Sequence, residues 1–365
     1  MTGNERITRI LEGRSADRIS WTTLVDDTTR SVMDGKFREM PVFDFYRYIG
    51  CDILQFGDYG LPEEQRALAY RHLTPEAEEK TLTDSAGRLT RTWTTRWGTL
   101  TAIFQTGHPV KYPVETLQDL RVLKNIWLHS RIEETGGMGE PYRRLEEQIG
   151  EDGRYIPTVE PSVIQRLLQY EMGMVNFYYL LQDHREEVEE LFEIMHRCRL
   201  QEYEITARRT PAPVIIPVEN TSSTLISPAL YERYSLPQVR DFVSVAHRYG
   251  KKAILHMCGC LKALLPLIKE TGLDGIHALT PAPVGDTGFE EAWKFFGDKL
   301  VVIGCLDADI FQNPATSPGD IERYLEKVCT PKIRCSPIIL IVTADGLATP
   351  LDRFLAVRDW MAQHG

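Results

Sequence analysis

Eight short apolar runs, separated by amphipathic stretches, constrain the fold of this chain more than any single motif. They are Ile19–Val25, Cys51–Phe56, Tyr155–Glu160, Pro213–Glu219, Lys251–Cys258, Gly275–Leu279, Leu300–Leu306 and Pro337–Thr343. Each is almost continuously apolar, the pattern of a strand covered on both faces, as strands of a parallel sheet are. Between them lie helical patterns such as Glu186 to Tyr203, where Val188, Leu191, Met195 and Cys198 recur at spacings of three and four. Eight such strands alternating with helices predict an α/β protein of the (β/α)8 TIM-barrel type with an N-terminal helical extension, where a doubly wound sheet uses fewer strands. One stretch breaks the rhythm. Leu82 to Gln105 alternates polar and apolar residues around the turn signals Asp84-Ser-Ala-Gly87 and Trp97-Gly98, which predicts an antiparallel hairpin insertion over about residues 82–106, covering one end of the barrel. The expectation is a single barrel domain over residues 1–365.

Composition narrows the classes of function. At 365 residues, 42% hydrophobic and 26% charged, the chain has the make-up of an ordinary globular protein with a large core. A net charge of −10 argues against a nucleic-acid groove, which concentrates Lys and Arg against phosphates. The start, Met1-Thr-Gly-Asn-Glu-Arg-Ile7, has no basic segment leading an apolar core, and no run approaches the roughly 20 apolar residues of a membrane span. A cytoplasmic protein is expected. Seven cysteines scattered from Cys51 to Cys335 fit reduced thiols better than a disulfide framework.

The strand ends carry the chemistry. Barrel enzymes build their sites where strands end, and here those positions offer Asp26, Asp58, Glu160, Glu219, Asn220, His256, Cys258, His277, Asp307 and Asp345. Any one carboxylate there also suits a helix cap or a loop turn; the argument rests on their convergence. His256-Met-Cys-Gly259 stands out because side chains at i and i+2 of a strand share a face, so an imidazole and a thiol can reach one ion. Zinc takes such mixed ligands, and a catalytic zinc needs only three protein donors, while a buried His and Cys also suit plain core packing.

Several motifs together resemble the uroporphyrinogen decarboxylase superfamily, and within it the corrinoid-dependent methyltransferase branch. They are the opening Glu5 to Ile19, Val218-Glu-Asn220 followed by Ile226-Ser-Pro-Ala-Leu-Tyr-Glu-Arg-Tyr234, His256-Met-Cys-Gly259, Gly304-Cys-Leu-Asp307 and Asp345-Gly-Leu-Ala-Thr-Pro350. The decarboxylases grip tetrapyrrole carboxylates with an Arg-rich segment near the first strand. Here Ser20 to Arg30 offers two acids and one Arg, the wrong charge for that task. The methyltransferase branch holds zinc through His-x-Cys-Gly on the fifth strand and a further Cys after the eighth. His256 and Cys258 match the first pair, but Asp345 stands in place of the last Cys, with Glu219 and His277 as competing third ligands and Cys260 a more distant one.

The resemblance implies a zinc-dependent methyltransferase that passes a methyl group from a small-molecule donor to the cob(I)alamin of a separate corrinoid protein. No Asp-x-His-x-x-Gly cobalamin signature occurs in the chain, so the corrinoid protein is expected as a transient partner docking over the open end. A carboxylate in place of a thiolate makes a harder Lewis acid, suited to an ether oxygen, so an aryl methyl ether leads the donors, as in an O-demethylase system. Glu219 and Asp307 are the catalytic candidates, Glu219 protonating the leaving oxygen. Asp26, Tyr59, Glu160 and Asn220 are the substrate-binding candidates. Trp21, Trp93, Trp97 and Phe104 can line an aryl pocket or simply pack. The alternatives are decarboxylation of a small carboxylate, methyl transfer from a methylcorrinoid to a thiol, and a metal-free barrel without catalysis.

Overall fold

The computed structural model describes residues 1–62, 66–105 and 107–364. Eight parallel strands form its centre: β1 Ser20–Thr23, β2 Ile53–Phe56, β3 Gly153–Ile156 resuming after Pro157 at Thr158–Val159, β4 Val214–Pro217, β5 Lys252–His256, β6 Gly275–Leu279, β7 Val301–Cys305 and β8 Ile338–Val342. Each falls within one of the eight apolar runs except β3, which starts two residues ahead of Tyr155–Glu160, at Gly153. The second part of β3 joins β4 to β8 and β1 in one seven-stranded sheet, and the first part of β3 pairs with β2. At the remaining seam, between β1 and β2, the Asp52 N–H donates to the Trp21 carbonyl at 2.9 Å and the Leu54 N–H to Thr22 Oγ1 at 3.4 Å. The strands thereby close a ring.

Period-two alternation sorts the strand residues between two cores. Leu54 and Phe56, Val214 and Ile216, Ile254, Val301 and Ile303, and Ile339 and Ile341 fill the lumen. Ile53, Ile215, Leu255, Ile276, Val302 and Leu340 face the surrounding helices. The floor is closed by the N-terminal helix Gly3–Leu11, which starts with a capping box between Thr2 and Glu5 and sends Ile7, Ile10 and Leu11 into the lumen cluster. Its Arg6 donates to Asp52, just ahead of β2, at 2.6 Å, and Asp52 also accepts from Arg18 at 2.8 Å and Ser20 at 2.7 Å. The other end, where the strands finish, stays open to the loops.

The insertion is larger than the sequence pattern predicts. The expected hairpin is the middle of a four-stranded antiparallel sheet made of Glu78–Thr83, Leu89–Thr95, Gly98–Gln105 and His108–Lys111. A second antiparallel pair, Tyr70–Leu73 with Arg131–Glu134, ties its base. Glu78–Thr83 escapes a period-two reading because it is exposed on both faces and carries almost no apolar residue. Thr106, at the end of the expected hairpin, lies outside the described residues. Among the described residues no helix is long and apolar enough to cross a membrane.

Candidate functional site

His256 and His277 are ladder partners on β5 and β6, so both project on the lumen side at the open end. Their Nδ1 atoms lie 2.7 Å apart, one donating and the other accepting. Phe56 covers them from β2: its ring stacks on His277 at 4.3 Å with planes 5° apart and lies 5.5 Å from His256. Burial disfavours the imidazolium, pulling His256 down to about 4, while burial and then the neighbouring His256 hold His277 well below the ordinary value. Both rings are therefore neutral at physiological pH, the form in which a histidine nitrogen serves as a metal ligand or an acceptor.

Cys258 follows on the same side, beyond the end of β5. The residue is exposed at the rim, while its thiol sits among protein atoms that push its pKa up and donates toward Asn220 Oδ1 at 3.5 Å. Asn220 is placed in turn by its N–H to the His256 carbonyl at 3.0 Å and by its side-chain amide to Gln169 Oε1 at 2.6 Å. Gln169 sits in the widened helical turn Leu167–Glu171, where the Met172 N–H bonds back to the Leu167 carbonyl at 2.8 Å. Asn220 (φ 44°) and Ala278 (φ 60°) are the non-glycine residues with positive φ among the described residues, and both flank the histidine pair. For Ala278 that conformation costs roughly 1–2 kcal/mol. It falls where the β6–β7 register shifts between His277 and Leu279.

A second corner of the mouth is built on Asp26. Its carboxylate accepts from the Tyr59 hydroxyl at 2.6 Å, the Thr29 N–H at 2.7 Å and the Gly346 N–H at 2.9 Å. Burial would raise its pKa, but the hydrogen bonds from Tyr59, Thr29 and Gly346 outweigh it and hold the group below the ordinary carboxylate value. Asp345, beside Gly346, shifts the other way, raised by burial and then by the charge of Asp26. Its charge also acts on the thiols of Cys258 and of the buried Cys305, the latter pushed up to about 12 chiefly by burial. Asp26, Tyr59 and Asp58 line a cleft of about 910 Å³ that reaches Arg30, Asp44 and Arg47.

The donors fit a borderline-soft divalent ion in type and protonation, with two neutral imidazoles, a thiol and a carboxylate at one rim. Their arrangement is open: among the described residues no three His, Cys, Asp or Glu side chains gather around one point. The third position, expected at Asp345, is not brought against the pair His256 and Cys258.

Two expected roles need correction. Glu219 has the opposite parity from the lumen-facing Val218 and is fully buried, with its two oxygens taken by the Ser162 N–H at 2.6 Å and hydroxyl at 2.7 Å. It ties the loop after β3 to β4, on the side of the strand away from the lumen. Asp307 caps the short helix Ala308–Gln312 by accepting the Asp309 N–H at 3.1 Å, the structural role open to any strand-end acid. Glu160 is at the mouth, but Arg166 holds its Oε2 at 2.9 Å. Trp21 is buried in the outer core, and Trp93 bonds Glu79 within the insertion. Sequence reasoning missed Phe56 and Cys305, which look like core residues at strand ends. It also missed the buried Arg199, although an arginine on the apolar stripe of Arg185–Arg209 was a readable signal.

A closed parallel barrel with a plugged floor and a polar mouth defines the chain as a (β/α)8 protein, with its candidate site at the strand ends. Residues 165–340 match the model of the family described as uroporphyrinogen decarboxylase (URO-D). The fold agrees from end to end with that of a methyltransferase from Methanosarcina mazei, at 13% identity and a TM-score of 0.61 over 100% of this chain and 99% of the other. Over residues 165–340, a little under half of the chain, the sequence is similar to the uroporphyrinogen decarboxylase family, and the solved methyltransferase shares the fold. A GH20 catalytic module of the pneumococcal exo-beta-D-N-acetylglucosaminidase StrH overlaps only in part, with a TM-score of 0.35 at 11% identity over 62% of this chain and 64% of its own. A search of curated proteins finds no matching sequence.

Proposed function

We propose that this chain is a zinc-dependent methyltransferase that moves a methyl group from a small donor to the cob(I)alamin of a separate corrinoid protein. The observation that carries the reading is the pair of neutral, lumen-facing imidazoles with a thiol two residues beyond His256, in a barrel that follows a methyltransferase over its whole length. His256 and Cys258 would hold the metal, with Asp345 as the third donor and His277 as its competitor. Bound zinc supplies Lewis acidity to the heteroatom that the methyl group leaves.

The chain's own residues do the rest. The donor enters the cleft between Asp26, Tyr59 and Asp58, with an aryl methyl ether the first to assay. Tyr59 keeps its proton, because burial and then the bond to Asp26 raise its pKa, so its hydroxyl is held as a hydrogen-bond donor. Phe56 shields the two imidazoles from water on one side. The corrinoid protein docks over the open end and leaves with the methyl group, which calls for an interface of modest area.

Elemental analysis of the purified protein tests the reading, with His256→Ala and Asp345→Ala beside it. About one zinc per chain, lost in His256→Ala, together with methylation of cob(I)alamin seen in the visible spectrum, is the expected result. Zinc kept in Asp345→Ala moves the third donor to His277. Absence of zinc from protein purified without chelators overturns the mechanism.

A further inference from the structure

Three side-chain amides run in line from the helical turns after β3 to the rim, and every hydrogen bond along them points the same way. The Gln169 amide N–H donates to Gln165 Oε1 at 3.2 Å, the Asn220 amide N–H donates to Gln169 Oε1 at 2.6 Å, and the Cys258 thiol donates to Asn220 Oδ1 at 3.5 Å. A carboxamide has a donor end and an acceptor end, so the short bond to Gln169 decides which end of Asn220 faces the sulfur. Turned end for end, Asn220 would set its oxygen against Gln169 Oε1, and two acceptors would meet with no proton between them.

The line is anchored at both ends. Gln165 is fully buried in the short helix Val163–Arg166, and Gln169 stands four residues on, in the widened turn Leu167–Glu171. Asn220 holds a left-handed backbone conformation (φ 44°), which asparagine tolerates better than most residues, and its own N–H donates to the His256 carbonyl at 3.0 Å. It therefore grips the end of β5 twice, through its backbone at His256 and through its side chain at Cys258. The second grip matters because β5 ends at His256. Cys258 lies in the loop beyond, where the strand ladder no longer fixes the direction of a side chain.

We propose that Gln169 and Asn220 are positioning residues for the Cys258 thiol, the line of amides from Gln165 holding the sulfur in one orientation at the rim. For its meaning this rests on the proposed metal site, because a thiol ordered before an ion arrives saves the ion the cost of ordering it.

Alkylation of the metal-free full chain by iodoacetamide, followed cysteine by cysteine with peptide mass spectrometry, reads the hold on the sulfur without any ion or turnover. Gln169→Met keeps the volume but removes the acceptor, and Asn220→Gly removes the side chain while accepting the positive φ. In each, Cys258 is expected to react about threefold faster or more, the size of one weak hydrogen bond. Gln169→Glu is expected to restore a rate within about twofold of the wild type, since a carboxylate still accepts from Asn220. The Gln165 amide, whose Nε2 has no hydrogen-bond partner among the described residues, can turn to donate to that carboxylate. Cys335, exposed just ahead of β8 at the other end of the barrel, is the internal control and should keep its rate throughout. An unchanged Cys258 rate in Gln169→Met or Asn220→Gly, a Gln169→Glu rate as high as that of Gln169→Met, or Cys335 accelerating in step with Cys258 overturns the proposal. Absence of zinc from the purified protein overturns the mechanism proposed above and leaves these rates as they are, so the two failures are distinct.

Discussion

Gly259 shows how little room the rim leaves at the scale of single residues. A Cβ at this position would lie 2.2 Å from the Ser222 Cβ, and Ser222 Oγ accepts the Cys260 N–H at 3.1 Å. Gly259→Ala must push the loop carrying Cys258 away from the loop after β4, at a cost of about 1–3 kcal/mol in urea unfolding, and the Cys258 thiol should then react faster with a disulfide reagent. His72 makes a different prediction. Burial first, then the charges of Arg199 and Arg166, with Glu160 opposing, lower its pKa from 6.5 to about 4, and Glu202 lies 4.0 Å away. The unfolded chain therefore binds a proton that the folded one refuses, so stability falls as pH drops from 6.5 towards 4, by up to about 3 kcal/mol. Urea midpoints across that window should fall for the wild type and flatten in His72→Gln, with the residual slope belonging to groups such as His256. The His256 and Cys258 pair of the candidate site was legible at this scale, because their i, i+2 spacing survives without knowledge of the fold. Glu219 was not. In a continuously apolar run nothing marks which parity faces the lumen, and a slip of one residue sends a carboxylate to the other core.

At the scale of elements, the N-terminal helix is the part whose removal the barrel should feel most. Ile7 and Ile10 are fully buried among lumen residues of the strands, far from any solvent that could relax into their place. Ile10→Ala is expected to cost about 3 kcal/mol through lost transfer energy and the cavity left behind, measured as a lower urea midpoint with unchanged slope. The eight barrel strands were legible because burial on both faces leaves a run of apolar residues that no loop imitates. The edges of the insertion were not. Tyr70–Leu73 and Arg131–Glu134 are four residues each, pair across a long separation in the chain, and alternate between half-buried and exposed, so neither carries a local signal. Their pairing is set by tertiary contact, which a sequence window cannot contain.

At the scale of the whole molecule the barrel separates stability from chemistry, and the separation can be measured. Asp52 is buried at the floor between Arg6, Arg18 and Ser20, at the N-terminal ends of the strands, while the proposed metal donors sit at the opposite ends. Arg6→Met leaves a buried carboxylate short of one partner and should cost about 3 kcal/mol, yet it touches nothing at the mouth. Zinc content should stay at that of the wild type. His256→Ala acts at the other end: the metal-free protein loses only the roughly 1–3 kcal/mol of leaving the buried His277 Nδ1 without its partner, and the stabilisation that zinc confers disappears. Because the ion would bind only the folded chain, that stabilisation should grow with free zinc and reach about 2.7 kcal/mol at a hundred times the dissociation constant. The two sites share no partner and lie at opposite ends of the strands, so the double variant should show the sum of the two single effects within about 0.5 kcal/mol. A coupling well above that, measured by urea unfolding with and without zinc, would mean that the floor network and the mouth move together, and that the histidine pair is positioned by the whole barrel and not by the ends of β5 and β6 alone.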